Sequence, residues 1–247
     1  MNQFLLQLAE TMDYVVVLMP SLIEGAWVTI KLFAFTLILA LPLGLPFALG
    51  SNSKIAPLRW ISKVYIWIFR GTPLMLQLFF FYFYIPMATD LRLDAFTTAV
   101  ITFVLNYAAY LAEIYRGGIE SIDKGQYEAA QSLGLDKRQT MFGIILPQTV
   151  KRVLPAVSNE AITLMKDTAL VSVISVGELL KASRGAVNRD VNVTALVIAA
   201  LIYLFFTFTL TMLSSYLEKR HSKYEGKEMS VKNTPRRGDR WNPLFWI

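Results

Sequence analysis

The stretch VNVTALVIAALIYLFFTFTLTMLSSYL, residues 191–217, decides the class of fold, because it contains no Asp, Glu, Lys or Arg. A helix needs roughly 20 apolar residues to cross the hydrocarbon of a bilayer. Further charge-free runs occupy residues 32–50, 71–89 and 95–112. The alternative, buried helices of a large soluble core, predicts runs of only about 10–14 residues. The sequence therefore predicts an all-α, polytopic membrane protein.

Composition agrees with this class and excludes several others. Of 247 residues, 55% are hydrophobic and 17% are charged, whereas soluble domains average about a quarter charged. No cysteine is present and the one histidine, His221, lies among charged residues near the C-terminus, so we expect neither a metal site nor a catalytic triad. The net charge of +6 requires no nucleic acid, because loops that face an anionic membrane surface account for it. No phosphate-binding loop of an ATPase occurs.

Residues 153–177 are harder to assign as a membrane span, because Glu160, Lys166 and Asp167 interrupt their apolar sequence. With this segment counted as a span, 18 Lys and Arg fall on the side of the long loop and the C-terminal tail. Without this span, the excess of Lys and Arg on that side of the membrane is much smaller. Because cytoplasmic loops are enriched in Lys and Arg, we predict five spans, with the N-terminus outside and the C-terminus in the cytoplasm.

The two terminal segments allow two interpretations each. Residues 1–20 lack Lys and Arg and are predicted to be extracytoplasmic, as a short surface helix or a frayed terminus. The helical interpretation depends on one apolar stripe: Phe4, Leu5, Leu8 and Met12. Residues 218–247 form a basic cytoplasmic tail, which either rests on an anionic leaflet or a partner through its aromatic end or is a disordered appendage.

A loop at 117–152 divides the transmembrane domain predicted for residues 21–217, and it is too long for a plain connection. One helix is predicted at 126–133, ending at Gly134. A second begins at Asp136, whose spacing from Gln139 is typical of a capping box, and Pro147 closes it. The two helices are either a docking surface for a soluble partner or an ordinary amphipathic loop.

The spacing of residues in this loop resembles the EAA loop of bacterial ABC-importer permeases. The matching positions are Glu128, Ala129, Ala130, Gly134, Ile144, Leu146 and Pro147. Two further stretches are similar to the polar amino-acid uptake branch of that family: residues 70–74, RGTPL, with Gln77, and residues 166–174, KDTALVSVI. Tyr110, Glu113 and Arg116, which lead into the loop, are similar as well.

The resemblance implies a five-helix type I permease in the bacterial inner membrane. It implies a second permease subunit, identical or related, a pair of cytoplasmic ATP-binding subunits and an extracytoplasmic amino-acid-binding protein. ATP and Mg would be bound by the partner ATPase and no cofactor by this chain, which is then not itself an enzyme. Closure of the ATPases would move the EAA loop and drive alternating access.

Charges within a span usually line a path or cavity, because they are expensive in hydrocarbon. On an ideal helix Glu160, Thr163 and Asp167 project within about 60° of one another, and Lys166 points about 100° away from Asp167. We expect a carboxylate to bind the ammonium group of an amino acid and Lys166 to bind its carboxylate. The alternative is a Lys166–Asp167 arrangement that pins the helix. Gln77 and Asn106, polar residues on apolar spans, are further candidates for substrate binding.

Glu160, Asp167 and Lys166 sum to a charge of −1, which favours basic or neutral polar amino acids over acidic ones. The competing function is a channel or an ion-coupled secondary carrier for a small polar solute, which would also place charges in the membrane. Such a protein would not need the EAA spacing. A membrane-embedded enzyme would need a catalytic constellation that the sequence lacks.

Overall fold

The computed structural model describes residues 2–222, and side chains within residues 11–220. Regular structure in this range is helical throughout, which confirms the all-α prediction for it. Residues 223–247, most of the predicted tail, lie outside the described residues. The helices are α1 (Asn2–Ser51), α2 (Ala56–Gly71), α3 (Leu74–Phe79), α4 (Ile85–Thr89), α5 (Ala95–Glu120), α6 (Lys124–Ser132), α7 (Lys137–Thr140), α8 (Leu146–Asp167), α9 (Leu179–Asp190) and α10 (Thr194–Ser222).

Helix α1 is much longer than the predicted span at 32–50. It is unbroken from Asn2 to Ser51, so the separate short helix expected within residues 1–20 is wrong. Its first half is supported by packing that the sequence pattern does not reveal, because Leu18 is fully buried against Leu179 of α9. This apolar contact continues the helix past the length that a bilayer alone requires.

Three described helices are long and apolar enough to cross a membrane: Thr11–Ser51, Ala95–Glu120 and Thr194–Arg220. A fourth candidate combines α2 with the segment Leu74–Thr89, and these two halves meet at 105°. The chain is therefore a multi-pass membrane protein. The segment at 153–177 is helical, as the end of α8 and a 3-10 helix (Thr168–Ile174), but it is not among these apolar candidates.

The bend of this fourth candidate lies at the start of the second predicted span, 71–89, of which residues 74–89 are helical. Thr72 is extended, with φ −118° and ψ 143°, because a residue before proline is pushed out of the helical region and Pro73 follows it. Beyond the bend, a π-helical turn (Phe80–Tyr84) connects α3 to α4. The span is thus broken where the sequence reads Arg-Gly-Thr-Pro.

Helix α5 is the centre of the bundle. Phe103 and Leu111 are buried against Leu32 of α1 and Leu164 of α8. Its start is fixed by Asp94, which accepts hydrogen bonds from Thr97, and these bonds hold the pKa of Asp94 below its usual value. Because α5 is buried on several sides and its start is fixed, the α5 side chains that face α8 and the α2–α3 bend have defined positions.

Helix α8 is entered without a break. The prediction that Pro147 closes the preceding helix is wrong: α7 continues through a π-helical turn (Met141–Ile145) directly into α8. Pro147 lies in the first turn of α8, where a missing N–H group is tolerated, and the π turn relieves the clash that proline makes with a helix. The result is one continuous helical rod from residue 137 to residue 167.

Candidate functional site

The two carboxylates predicted to bind substrate lie on the second half of α8, close to α5. Asp167 ends α8, and the hydroxyl of Tyr107 donates a hydrogen bond to its Oδ2 at 2.7 Å. Glu160, two turns earlier, is half-buried and interacts electrostatically with both residues. We call Tyr107, Glu160 and Asp167 the carboxylate cluster. Sequence reasoning predicted the two acids and missed the tyrosine, which lies sixty residues away along the chain.

Thr163 and Lys166 are exposed on the surface of α8. Within the described part of the chain no ion pair joins Lys166 to Asp167, although the two side chains interact electrostatically. Asp167 accepts its hydrogen bond from the neutral Tyr107.

Gln77 and Asn106 form an amide clamp at the α2–α3 bend. Nε2 of Gln77 donates to the carbonyl oxygens of Phe69 and Thr72 at 2.9 and 3.1 Å. Nδ2 of Asn106 donates to the carbonyl of Phe69 at 3.1 Å and to Oε1 of Gln77 at 3.0 Å. The last carbonyl groups of a helix have no partners within it, and water is not available to them in hydrocarbon. The clamp supplies those partners.

Beside the bend lies a charged cavity of about 510 Å³, which we call the Arg70 pocket. The guanidinium group of Arg70 lies 5.4 Å from the ring centroid of Tyr110 and 3.9 Å from the carboxylate of Glu113. Glu113 also pairs with Arg116. Tyr110 lines the pocket and its ring centroid lies 6.4 Å from that of Tyr107, so the pocket adjoins the carboxylate cluster. The lining is Ser51, Lys63, Ile66, Trp67, Arg70, Gly71, Tyr110, Glu113 and Arg116.

The signal for the Arg70 pocket is present in the sequence but ambiguous. Arg70, Glu113 and Arg116 are charges at the edges of apolar segments, where a residue of the membrane boundary would also be charged. Only the bend after α2 brings Arg70 against α5.

The loop between α5 and α8 has the two-helix form that its sequence predicts. Helix α6 begins and ends one or two residues before the predicted bounds, and Gly134 has φ +74°, as expected for a C-terminal cap. The N–H of Leu135 bonds to the carbonyl of Ala130 and that of Gly134 to Gln131, which is a complete Schellman motif. The predicted capping box of Asp136 and Gln139 is confirmed.

The seven predicted coupling residues divide between the surface and the interior. Glu128, Ala129, Gly134 and Pro147 are exposed. Ala130 is buried, and Ile144 packs with Ile119 and Ile122, which attaches the loop to the end of α5. Leu146 lines an apolar cavity of about 300 Å³ between α1, α5 and α8.

The exposed face of the loop also carries two large apolar side chains that the motif does not include. Leu133 is 79% exposed at the tip of α6 and Phe142 is 63% exposed on the π turn. Isolated apolar residues are ordinary on surfaces, but here Leu133 caps the helix that carries Glu128 and Ala129, and Phe142 belongs to the same loop, which is typical of an interaction site. We call Glu128, Ala129, Leu133 and Phe142 the exposed loop face.

With this geometry in place, the comparison with known proteins identifies the family. Residues 40–223 match the family described as "Binding-protein-dependent transport system inner membrane component". The chain belongs to this family. Membership agrees with the apolar spans and with the EAA spacing.

Relatives of this chain are permeases named for several amino acids. The L-cystine transport system permease protein TcyB of Bacillus subtilis (strain 168) is 40% identical over 84% of this chain and 89% of its own length. The arginine transport system permease protein ArtQ of the same organism is 40% identical over 81% of this chain and 92% of its own. The glutamine transport system permease protein GlnP of Escherichia coli (strain K12) is 39% identical over 81% and 93%.

Solved structures show the same fold. A chain from the crystal structure of an amino acid ABC transporter with histidines is 36% identical, with a TM-score of 0.79, over 84% of this chain and 97% of that one. A chain of the methionine ABC transporter MetNI in an inward-facing conformation is only 17% identical, with a TM-score of 0.70 over 83% of this chain and 98% of its own. The second likeness concerns the fold alone.

Proposed function

We propose that this chain is the membrane-spanning subunit of an ATP-driven, binding-protein-dependent importer of basic or neutral polar amino acids. The observation that carries the proposal is the membership of the family together with relatives whose names specify cystine, arginine and glutamine. These three substrates differ in their side chains and share an α-ammonium and an α-carboxylate. None of them has a side chain with a net negative charge, in agreement with the preference inferred from Glu160 and Asp167.

The carboxylate cluster is suited to the shared ammonium group. Asp167 is oriented by a neutral donor, and Glu160 projects from the same side of α8 two turns earlier, so two carboxyl groups are placed near one another. Two charges about 4 Å apart interact by about 4 kcal/mol at an effective dielectric of 20. We assign Asp167 to the α-ammonium group and Glu160 to a basic or polar side chain. Lys166, with Thr163 beside it, takes the α-carboxylate.

Gln77 and Asn106 have a supporting role in this proposal. Their amide donors are engaged at the α2–α3 bend, so they act on the substrate path by fixing the bend and with it Arg70. In this proposal the positive charge of Arg70, at the bend, limits the surplus of negative charge from Glu160 and Asp167.

The helical rod that ends at Asp167 supports a coupling between the loop and the proposed substrate site. At about 1.5 Å per residue, the path along it from residue 137 to residue 167 is roughly 45 Å long. In this proposal a displacement of α7 is passed along the helix toward Asp167. We propose that ATPase subunits dock on the exposed loop face and switch the site between inward-open and outward-open states by tilting this rod.

The proposed complex contains a second permease subunit, two ATP-binding subunits that hold ATP and Mg, and an extracytoplasmic binding protein. The exposed loop face lies in the cytoplasm and the N-terminus outside, in accordance with the distribution of Lys and Arg. The basic tail at 218–247 is cytoplasmic in this topology.

The test is reconstitution of the chain with its ATPase and binding protein in vesicles, with uptake of labelled amino acids and ATP hydrolysis measured together. We expect Glu128→Lys and Leu133→Asp to abolish ATP-dependent uptake while the protein stays in the membrane, because each places a charge on the exposed loop face. Gly134 is a poorer probe, because any side chain there strains a backbone with φ +74°.

The control is Lys54→Glu, a charge reversal at an exposed residue between α1 and α2, which should leave uptake unchanged. Full uptake by both loop variants would exclude the exposed loop face as the docking site. Uptake by the wild type that needs no ATP would exclude the importer and favour a channel or secondary carrier.

A further inference from the structure

Tyr107 has a place in the structure that membership of the family does not explain. We infer that Tyr107 is the positioning residue of Asp167: it holds one carboxylate oxygen and leaves the other for the ammonium group of the substrate. This inference rests on the proposed function, because it assigns a role to a neighbour of the proposed substrate site.

Tyr107 is built as a rigid support. Only 4% of its surface is exposed, and its ring stacks on Phe103 with the centroids 6.2 Å apart and the planes at 23°. Tyr110 lies on its other flank, with a centroid distance of 6.4 Å. A buried aromatic ring in such contacts has little freedom, so the hydroxyl is fixed relative to α5. Its 2.7 Å hydrogen bond then fixes Asp167 relative to α5 as well.

The chemistry of the donor matters as much as its rigidity. A Lys or Arg in this position would orient Asp167 and also cancel its charge. The phenol is neutral and donates one hydrogen bond, whereas an ionised carboxylate offers about four acceptor positions on two oxygens. Asp167 is half-buried and not enclosed, and Oδ2 is the oxygen that Tyr107 engages. The remaining oxygen is therefore oriented and left for an ammonium group.

The inference makes a claim about selectivity that a purely structural role does not. Every amino acid carries the α-ammonium group. Disturbing the carboxylate that binds this group, Asp167, should therefore reduce the affinity for all substrates by the same factor. Glu160, assigned to the side chain, should distinguish between them. Tyr107 and Glu160 are thus predicted to have separable effects, although they belong to one cluster.

The experiment measures the Kd of labelled arginine and labelled glutamine for the purified permease–ATPase complex. The binding protein is left out, so that the affinity belongs to the permease. Tyr107→Phe removes the hydroxyl and keeps the ring. We expect Kd to rise by roughly three- to tenfold for both amino acids, which corresponds to the loss of one hydrogen bond. In an Asp167→Asn background the same change should have no further effect on Kd.

The matched control is Tyr65→Phe, which also removes a tyrosine hydroxyl with a buried partner, the carbonyl of Leu105 at 2.6 Å, but away from Asp167. It should leave both Kd values unchanged. Equal Kd for wild type and Tyr107→Phe, or an undiminished effect of Tyr107→Phe in the Asp167→Asn background, would overturn the inference while the importer stands. If the wild-type complex neither binds nor transports these amino acids, the proposed function itself fails.

Discussion

Nδ2 of Asn106 lies 3.0 Å from Oε1 of Gln77, and this contact joins the central helix α5 to the bend between α2 and α3. Both side chains are nearly buried, at 4% and 7% exposure. Their remaining donors bond to the carbonyl oxygens that the bend leaves without helical partners. Two amides on apolar spans therefore stabilise a broken helix in the protein interior.

Asn106→Leu should destabilise the protein, because the carbonyl of Phe69 loses one donor and Oε1 of Gln77 loses its partner. Leaving a buried polar group unsatisfied costs about 1–3 kcal/mol. The measurement is the midpoint of thermal unfolding in detergent, which should fall. Asn159→Leu, at an exposed position of α8, is the control and should unfold near the wild-type temperature. An unchanged midpoint for Asn106→Leu would show that water or lipid replaces the clamp.

Two adjacent glycines at the end of α5 should respond oppositely to alanine. A Cβ at Gly118 would lie 2.1 Å from Cγ1 of Val153 on α8, a contact that requires α5 and α8 to separate, because a valine side chain has little freedom to move. A Cβ at Gly117 meets nothing within 4 Å. We expect Gly118→Ala to lower the unfolding temperature and Gly117→Ala to leave it unchanged or raise it, since alanine favours helix by about 1 kcal/mol.

Because Gly117 and Gly118 are neighbours on one helix, differences in propensity cancel in this comparison. Similar unfolding temperatures for the two variants would mean that α5 and α8 are not as close as described. The same pair can be assayed for uptake, since the spacing of α5 and α8 also sets the distance from Tyr107 to Asp167.

Glu178→Gln should loosen the attachment of α9. The carboxylate of Glu178 is fully buried and accepts hydrogen bonds from the N–H groups of Leu180 and Lys181, both at 2.7 Å, and from the hydroxyl of Tyr203 at 2.8 Å. Glutamine has one acceptor oxygen, so its NH₂ group would face at least one of these donors. The expected loss is about 1–3 kcal/mol of folding free energy.

The readout for Glu178→Gln is again thermal unfolding, and Glu24→Gln, an exposed glutamate of α1, provides the control for removal of one charge. Full stability of Glu178→Gln would indicate that the carboxyl group is not the acceptor of all three bonds.

Glu160→Gln should change selectivity more than stability. Removing a carboxylate from the carboxylate cluster lowers the attraction for a cationic side chain, so uptake of arginine should fall relative to that of glutamine. Uptake of arginine, glutamine and glutamate by wild type and variant, measured in parallel, provides the comparison. Equal losses for arginine and glutamine would move Glu160 to α-ammonium binding or to a structural role. Strong glutamate uptake by the wild type would contradict the charge argument.

The class of protein and the form of the loop could be predicted from the order of residues along the chain. A long run without charges is stable in hydrocarbon and not in water. Residues 95–112 and 191–217 can therefore be identified as membrane helices without knowing which helices pack beside them. Local chemistry was equally informative: Gly134 and the pair Asp136 and Gln139 specify helix ends through hydrogen bonds within a few residues. Such signals are contained in the segment that they shape.

Which polar residues contact one another depends on how the helices pack. The full length of α1 depends on its packing against α9. The helix continues through Pro147 because of a π turn, which hydrophobic periodicity does not predict. The donor to Asp167 is Tyr107, and the donor to Oε1 of Gln77 is Asn106; each partner lies on another helix. Helix periodicity gives the direction of a side chain on its own helix, but the position of the neighbouring helix is set by packing across the whole bundle. For this reason the acids of the site were predictable and the groups that orient them were not.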